Sequence, residues 1–559
     1  MHIYFLMFAL VSIALAGRAC QQNSTGSTVV IRNVKGYTLA ENELLSFNSI
    51  AFREGKVLGV SADGFPETVD TSGATVIDGE GHVLLPGLID AHGHVMGLGY
   101  KSLDADVAGA ESLDEALRRI RTYAEEYTES AWIRGRGWNH THWGINRFPT
   151  ASELDKAVHS RPVWLTRVDG HAGWANSKAM EVAGITKETE DPADGKIIRD
   201  AKGNPTGIFV DGAMQLIGKH LPDRTAGESR EALKQALLQM NAHGLTSVHD
   251  AGIDADTWAL YKEFADEEKM TVRIYAMIGG TGSVFDTLSE SGPVRSYAND
   301  RLALRSVKLY ADGALGSRGA AMLHPYSDDP ENKGLLFYSQ EELTGMIMKA
   351  ASRGYQTNVH AIGDRANRVV LDAFEQVKDS LGGQELRHRI EHAQIVAPED
   401  IPRFKELDII ASMQPTHATS DMNMAEDRIG PERISGGYAW RRFLDQGTVI
   451  AGGSDFPVEH VNPFYGLYSA ITRQNHAGEP EGGWYPGQRM TRVEAFRAFT
   501  ADAAYAAGQE SILGTLEPGK WADFILIDRD IFYVPARELW QTEVLETWVA
   551  GEKVYEAGK

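Results

Sequence analysis

The chain has 559 residues, with 55 Lys and Arg against 77 Asp and Glu, which gives a net charge of −22. Hydrophobic residues make up 43% of the chain and charged residues 24%, and these proportions exclude a disordered or collagen-like protein. The acidity argues against nucleic acid as a partner, because binding a phosphate backbone requires a basic face. The single cysteine excludes an intramolecular disulfide and a Cys-rich zinc site. The length predicts a large core domain with a smaller companion.

An apolar run at residues 3–16 is followed closely by the lone cysteine, Cys20. About fourteen apolar residues are too few to span a bilayer comfortably but fit the core of a secretion signal. We therefore expect residues 1–20 to be an export signal. The position of Cys20 resembles a bacterial lipoprotein signal, which predicts a lipidated cysteine and a periplasmic or membrane-anchored protein. A plain export signal cut after Ala16 and an uncleaved anchor helix are the alternatives.

Both ends of the chain after this signal have the composition of β-strands. Residues 27–86 and 512–559 contain short apolar and β-branched runs separated by Gly and Asn. We expect the two segments to form one small β-sandwich domain together.

The middle of the chain, residues 87–511, alternates strand-like apolar runs with amphipathic stretches that stop at glycine, as helices often do. Eight runs are the number in a closed (β/α)8 barrel, an α/β fold whose active site lies at the carboxyl ends of the strands. An open doubly wound sheet is the alternative, but no Gly-rich dinucleotide or phosphate motif follows any run. The runs are 84–94, 245–252, 271–280, 306–313, 355–364, 388–396, 409–417 and 448–456.

The segment of about residues 100–240, between the first and second runs, is far longer than one strand–helix unit needs. This stretch is rich in Trp, His and Arg, and we expect it to be an insertion over the mouth of the barrel. A separate surface domain is the alternative. The aromatic residues of the insertion predict an apolar group on its ligand; they include Trp138, Trp143, Trp164 and Trp174.

Five residues near the ends of these runs are candidates for a metal site. His92 and His94 are two positions apart, so the alternation of a strand points both imidazoles the same way. Neutral imidazoles in this arrangement suit a divalent transition metal. His360, His392 and Asp455 lie near the ends of the fifth, sixth and eighth runs. Any one of them could be a hydrogen-bonded core residue, but together they predict a shared site.

Lys308 lies inside the otherwise apolar run SVKLYA. A charged, unpaired lysine would be costly to bury there, and a closed barrel offers no exposed edge. Our interpretation is that the neutral amine has taken up CO2. The resulting carbamate has two oxygens and can bridge two metal ions.

With these residues the sequence resembles the amidohydrolase superfamily, metal-dependent hydrolases with a (β/α)8 barrel. Within it, the sequence is most similar to the branch of N-substituted formamide deformylases and YtcJ-like proteins. The resemblance covers roughly residues 28–559. The branch-level motifs are GRGWNHTHW, VDGHAGWANSKAM, VKLYADGALGSRGAAM, NVHAIGDRAN and GSDFPVEHVNPF.

The resemblance implies a site for one or two divalent ions, with zinc as the expected metal. A water between two ions loses a proton near neutral pH and becomes the nucleophile. Asp455 would take that proton and return it to the leaving amine. The implied ligands are His92 and His94 for the first metal, His360 and His392 for the second, N6-carboxylated Lys308 as the bridge, and Asp455 at the first metal.

Four further residues are expected at the mouth of the barrel in contact with a small-molecule substrate. Of these, His171 or His417 could stabilise a developing oxyanion. A structural role in a loop is the alternative for each. The four residues are Trp138, His171, Asp312 and His417.

The expected function is hydrolysis of a non-peptide carbon–nitrogen bond, in an N-acyl or N-formyl amine, by a metal-activated hydroxide. A lactonase, esterase or deaminase of the same fold is one alternative, because the metal site alone does not select the bond. A non-catalytic, tethered binding protein is the other. A homodimer is a further expectation from the superfamily.

Overall fold

The computed structural model describes residues 26–41, 43–65, 69–145, 147–382 and 385–558. The expected export signal and Cys20 lie outside these residues. Among the helices within these ranges, none combines the length and the apolar character needed to cross a membrane.

Eight parallel strands form the centre of the molecule, and we number them 1 to 8 in chain order. Each strand pairs with the next, from strand 1 to strand 8. A parallel bridge between Gly93 and Phe456 brings the first and last strands together, so the barrel is nearly closed. The predicted α/β barrel is confirmed. The strands are Leu88–Gly93, Leu245–Ile253, Arg273–Gly279, Leu302–Tyr310, Gln356–Ala361, Arg389–His392, Ile410–Met413 and Ile450–Gly452, with Val294–Tyr297 paired antiparallel to strand 4.

A buried carboxylate, Asp90, joins strand 1 to the segment that follows strand 8. It accepts hydrogen bonds from the backbone N–H groups of His92 and Ser454, each at 3.0 Å, and from the Ser454 hydroxyl at 2.6 Å. The backbone N–H of Asp455 also donates to the carbonyl of His92 at 2.7 Å. These contacts place His92 and Asp455 side by side at the carboxyl ends of the strands.

Helices surround the barrel, and their ends follow the local sequence. The helix Ala226–Ala242 begins with a capping box, in which Thr225 and Glu228 bond each other's backbone N–H groups. It stops before Gly244, whose φ of +79° suits glycine. The helices of this layer are Val95–Lys101, Ala226–Ala242, Ala255–Asp266, Ser283–Leu288, Gln340–Ser352, Asp364–Leu381, Ile401–Glu406, Pro415–Asp421, Ala425–Arg433, Trp440–Asp445, Pro463–Thr472, Arg492–Ala498 and Ala501–Ala506, with short 3-10 turns at Ile434–Gly436, Pro486–Gln488 and Ala536–Gln541.

Strands from both ends of the chain form one eight-stranded sheet. Its buried aromatic side chains include Phe524 and Trp548, which stack with ring centroids 5.2 Å apart. The guanidinium of Arg273 donates to Asp523 at 2.6 and 3.0 Å and thereby fastens the sheet to barrel strand 3. A two-layer sandwich and the domain boundaries remain predictions. In spatial order the strands are Glu552–Glu556, Val544–Val549, Phe524–Ile527, Val83–Pro86, Val29–Ala40, Glu43–Arg53 and Lys56–Ser61, with Thr75–Asp78 beside Val29–Ala40.

The segment between barrel strands 1 and 2 forms a six-stranded sheet with its own hydrophobic core. Trp143 and Trp174 belong to this core, and their indole N–H groups donate to the carbonyls of Ala110 and Thr150, each at 2.9 Å. The insertion is thus a folded unit, and one side of it also faces the barrel mouth. In spatial order its strands are Gly195–Arg199, Pro205–Asp211, Ala172–Ala175, Val163–Arg167, Ile133–Trp138 and Ala105–Asp106, and its helices are Leu113–Glu126, His140–His142, Ala151–Asp155, Ser177–Val182, Gly212–Met214 and Gln215–Gly218.

Candidate active site

A cavity of about 980 Å³ lies where the carboxyl ends of the barrel strands meet the insertion. Its wall combines groups from strands 4, 5 and 6, from the loops of the barrel and from the insertion. Most of the predicted site residues line it: His94, His171, Lys308, His360, His392, His417 and Asp455. His92 lies directly behind this wall and is fully buried.

The first group of donor atoms consists of His92, His94 and Asp455. The Nε2 atom of His94 is 3.1 Å from Oδ1 of Asp455, and the Nε2 atom of His92 is 3.6 Å from the same oxygen. One ligand atom of each residue lies within 4.8 Å of the others, which is close enough for one ion to bind all three. The structure therefore brings together the predicted ligands of the first metal.

A second group shares the same carboxylate and consists of His392, His417 and Asp455. His392 Nδ1 bonds the side-chain oxygen of Gln414 at 2.8 Å, which leaves Nε2 for the cavity. The Nε2 atom of His417 is 3.6 Å from Oδ2 of Asp455. We expected His417 at the substrate, but the structure places it among the donors that could hold a metal.

His360 and Lys308 lie beside these groups. The ring of His360 packs against that of His392, with centroids 4.6 Å apart, and its Nε2 atom is 3.5 Å from Oδ1 of Asp312. Lys308 is buried, and its Nζ atom is 3.2 Å from Nε2 of His92. All six predicted ligands thus lie together. The carbamate and the bridging role of Lys308 remain predictions.

The chemistry of these side chains fits a divalent cation. Within the described ranges, the buried Nε2 atoms of His360 and His417 have no hydrogen-bond partner, which is costly unless a ligand satisfies them. Burial and neighbouring positive charges hold the pKa values of His360 and His392 well below the ordinary value, so both imidazoles are neutral and can bind a metal. Burial raises the pKa of Asp455, but the hydrogen bond from His94 acts in the opposite direction, and the pKa lies well below the usual range. The site therefore presents neutral nitrogens and one ionised carboxylate.

Glu391 orients His92 and is a residue that the sequence reasoning missed. Its Oε2 atom accepts from Nδ1 of His92 at 2.5 Å, so Nε2 of the imidazole faces Lys308 and Asp455. Glu391 and Arg389 are both completely buried in strand 6, with charged atoms 4.0 Å apart. The sequence did contain a signal for Glu391, because Arg389 and Glu391 are charged residues at alternate positions of a buried strand.

His171 lines the cavity from the insertion. Its Nδ1 atom bonds Oδ1 of Asp211 at 2.8 Å, and its ring centroid is 5.3 Å from that of His360. Burial lowers the pKa of His171, but the hydrogen bond and the charge of Asp211 outweigh burial, and the pKa is raised. The predicted position of His171 at the mouth agrees with this placement.

Trp138 and Asp312 do not line the cavity, so the prediction that they face the substrate is corrected. Trp138 is fully buried, with its indole N–H donating to the carbonyl of Leu165 at 2.9 Å. Asp312 accepts from the backbone N–H groups of Ile362 and Gly363 at 3.0 and 2.8 Å, and burial raises its pKa to about 7. Both residues support the wall from behind.

The predicted apolar surface of the insertion also does not reach the cavity. The four tryptophans on which this prediction rested are buried in the cores of the insertion: Trp138, Trp143, Trp164 and Trp174. An apolar group on the ligand therefore has no support from these side chains.

Comparison with known proteins places this chain in a family. The model of a family described as amidohydrolase matches residues 75–555. The chain belongs to the amidohydrolase family. The resemblance stated from the sequence motifs is confirmed.

Relatives of this amidohydrolase align along most of its length. It is 31% identical to a Bacillus subtilis protein named "Putative amidohydrolase YtcJ", over 88% of this chain and 92% of that protein. It is 30% identical to an N-substituted formamide deformylase of Arthrobacter pascens, over 96% of this chain and 97% of that enzyme. The crystal structure of an uncharacterized metal-dependent hydrolase from Pyrococcus horikoshii superposes with a TM-score of 0.74 at 28% identity, covering 91% of this chain and 99% of that one.

Proposed function

We propose that this amidohydrolase is a metal-dependent hydrolase that cleaves a non-peptide carbon–nitrogen bond in an N-acyl or N-formyl amine. The observation that carries the proposal is the position of Asp455, whose carboxylate is shared by two histidine groups on one cavity wall. The similarity to an N-substituted formamide deformylase along almost the whole chain favours the amide over other bonds.

The residues that would hold the metal are those of the two donor groups, with His360 and Lys308 beside them. A bound divalent ion, with zinc as the proposed metal, supplies positive charge that polarises a carbonyl and lowers the pKa of water. Lys308 is buried beside His92, and as a carbamate it would add two oxygens between the groups. Glu391 keeps the His92 ring in the orientation that this arrangement needs.

Asp455 carries the proton in the proposed reaction. Its lowered pKa keeps the carboxylate ionised across the neutral and mildly acidic pH range, so it can accept a proton from the attacking water. The same oxygen then donates that proton to the nitrogen of the leaving amine as the carbon–nitrogen bond breaks. The products are a carboxylic acid and an amine.

His171 is positioned to assist at the substrate carbonyl. With Nδ1 bonded to Asp211, its Nε2 atom is the nitrogen that remains for a ligand. The raised pKa favours a protonated ring that can donate a hydrogen bond to developing negative charge on oxygen. His417 has two possible roles in this proposal. It either binds the metal together with His392 or, like His171, donates a hydrogen bond to the developing negative charge on the substrate oxygen.

Three further proposals are independent of the site. They are export with lipidation at Cys20, a composite β-sandwich domain, and a homodimer. None of them enters the reaction proposed above.

The proposed function is tested with purified, zinc-loaded protein and a panel of N-formyl amines, N-acyl amines, lactones, esters and aminopyrimidines. We expect release of amine from one or more amides. Hydrolysis confined to lactones or esters, or release of ammonia from the aminopyrimidines alone, would reject the amide in favour of another reaction of this fold. A protein that binds no zinc and turns over no compound would instead be a tethered binding protein.

A further inference from the structure

The cavity wall that the insertion supplies carries two arginines where we expected tryptophans. Arg136 lies in the strand Ile133–Trp138, and Arg167 ends the parallel neighbouring strand. In the register of these strands Trp138 pairs with Arg167, so the two arginines lie close together across the sheet. Both line the same cavity as His94 and Asp455.

Arg167 is neutralised within the insertion. Its guanidinium forms an ion pair with Asp169 and donates from Nη2 to the side-chain oxygen of Asn139 at 3.0 Å. The residue is 3% exposed. These contacts hold Arg167 in place and neutralise its charge, although its buried Nε atom has no partner among the described residues.

Arg136 has no such counter-ion. In the described ranges it forms no ion pair, and its hydrogen bonding is limited to a weak contact of 3.3 Å from Nη2 to the carbonyl of Val168. Its Nε atom is buried without a partner. A guanidinium stays charged at every pH at which proteins fold, so deprotonation cannot relieve this position.

The carboxylates that face Arg136 are already engaged. Asp106 lies 3.5 Å from the amino group of Lys101, Asp169 pairs with Arg167, and Asp104 pairs with Arg224. Asp455 belongs to the histidine groups described above. Among the described residues, the wall therefore holds a guanidinium that has no ion-pair partner of its own.

An unpaired, largely buried charge is costly, and proteins retain one where a ligand compensates it. The planar fork of a guanidinium matches a carboxylate, which it can bind through two parallel hydrogen bonds. We propose that Arg136, braced by its neighbour Arg167, is the subsite for a carboxylate group of the substrate. The proposal rests on the proposed function insofar as the ligand is a substrate.

This subsite narrows the substrate class. The carboxylate would lie at Arg136 and the amide at Asp455, so the substrate is an amide that carries a carboxylate apart from the bond that breaks. A cavity of about 980 Å³ has room for such a molecule and is at the upper end of the usual range for small-molecule sites. The insertion, and not the metal ligands, would then select the substrate.

The test uses ω-acetamidoalkanoates of increasing chain length, each compared with its uncharged carboxamide. Binding is measured by isothermal titration calorimetry on Asp455→Asn protein in buffer that contains zinc, because the proposed reaction is blocked in this variant. The same measurements are made after adding Arg136→Gln. The matched control is Arg134→Gln, because Arg134 is on the same strand but bonds the carbonyl of Pro222 and does not line the cavity.

We expect the acid of the best chain length to bind about tenfold or more tightly than its carboxamide, because a charge-assisted, bidentate hydrogen bond to a carboxylate is stronger than a hydrogen bond to a neutral amide. Arg136→Gln should abolish this preference, and Arg134→Gln should retain it. Equal binding of acid and carboxamide, or a preference that survives Arg136→Gln, would overturn the subsite. A preference for the acid without hydrolysis by the wild type would support the subsite and reject the hydrolase, so the two failures are distinguishable.

Discussion

Replacing Asp455 with asparagine should lower kcat/KM for an amide substrate by about 10³-fold or more, while the protein still folds. A proton carrier alone accounts for about 10²–10⁴-fold in rate, and the variant also loses the negative charge between the two histidine groups. Asparagine has nearly the same shape but cannot accept and return the proton. The measurement is steady-state kinetics on whichever N-acyl or N-formyl amine the wild type hydrolyses.

Asp408→Asn is the matched control for this variant. Asp408 is on the surface, with 79% of its side chain exposed, and its φ of +57° is one that asparagine tolerates well. The Asp408→Asn protein should hydrolyse the substrate at the wild-type rate. If Asp455→Asn, folded by circular dichroism, stayed within tenfold of the wild type, Asp455 would not be the proton carrier.

Replacing His94 with asparagine should weaken zinc binding by more than about 100-fold and reduce turnover in parallel. Loss of a partner that merely orients a ligand typically costs about 10–100-fold in metal affinity, and removal of a ligand should cost more. His94 contacts Asp455 at 3.1 Å and lines the cavity, so the change removes one of the three donors of the first group. Bound zinc is measured by elemental analysis after dialysis against a buffered series of free zinc concentrations.

His159→Asn is the control for loss of an imidazole, because His159 is exposed on the insertion. It should retain the wild-type zinc content and activity. The site assignment would be rejected if His94→Asn bound as much zinc as the wild type at every free concentration. Chelation followed by zinc addition should restore activity in the wild type and the control, but only at much higher zinc in His94→Asn.

The barrel and most of its donor atoms could be predicted from the sequence because both follow from simple periodicities. Alternation along strand 1 places His92 and His94 at one end, and strand order brings His392 and Asp455 to the same face. The argument that an apolar barrel strand should not contain a lone charge singled out Lys308. Applied to strand 6, it would also have identified Glu391.

The positions of the other site residues depend on tertiary contacts that no local sequence pattern reveals. His417 lies in the helix after strand 7, and only the path of that loop brings it within 3.6 Å of Asp455. Asp312 follows strand 4, as a cavity-facing residue would, but its oxygens accept backbone N–H groups from the segment after strand 5. Sequence position alone could not distinguish these two outcomes.

The insertion shows more clearly that the sequence alone does not indicate which side chains face the cavity. Its tryptophans are its largest apolar side chains, and burying them in the insertion's own core removes more apolar surface from water than exposing them to a cavity would. The wall that remains includes Arg136, which forms no ion pair within the part of the chain that the structure describes. Composition indicated that the insertion was unusual, but the three-dimensional structure was needed to show which of its residues face the ligand.

Anomalous diffraction at the zinc absorption edge, from crystals of the full protein grown with zinc, tests the central claim most directly. We predict an anomalous peak about 2.0–2.1 Å from the imidazole nitrogens of His92 and His94, and a second peak beside His392 with Asp455 between them. Extra density on Nζ of Lys308 would identify the carbamate. Zinc-saturated crystals with no anomalous peak in this cavity would contradict the account.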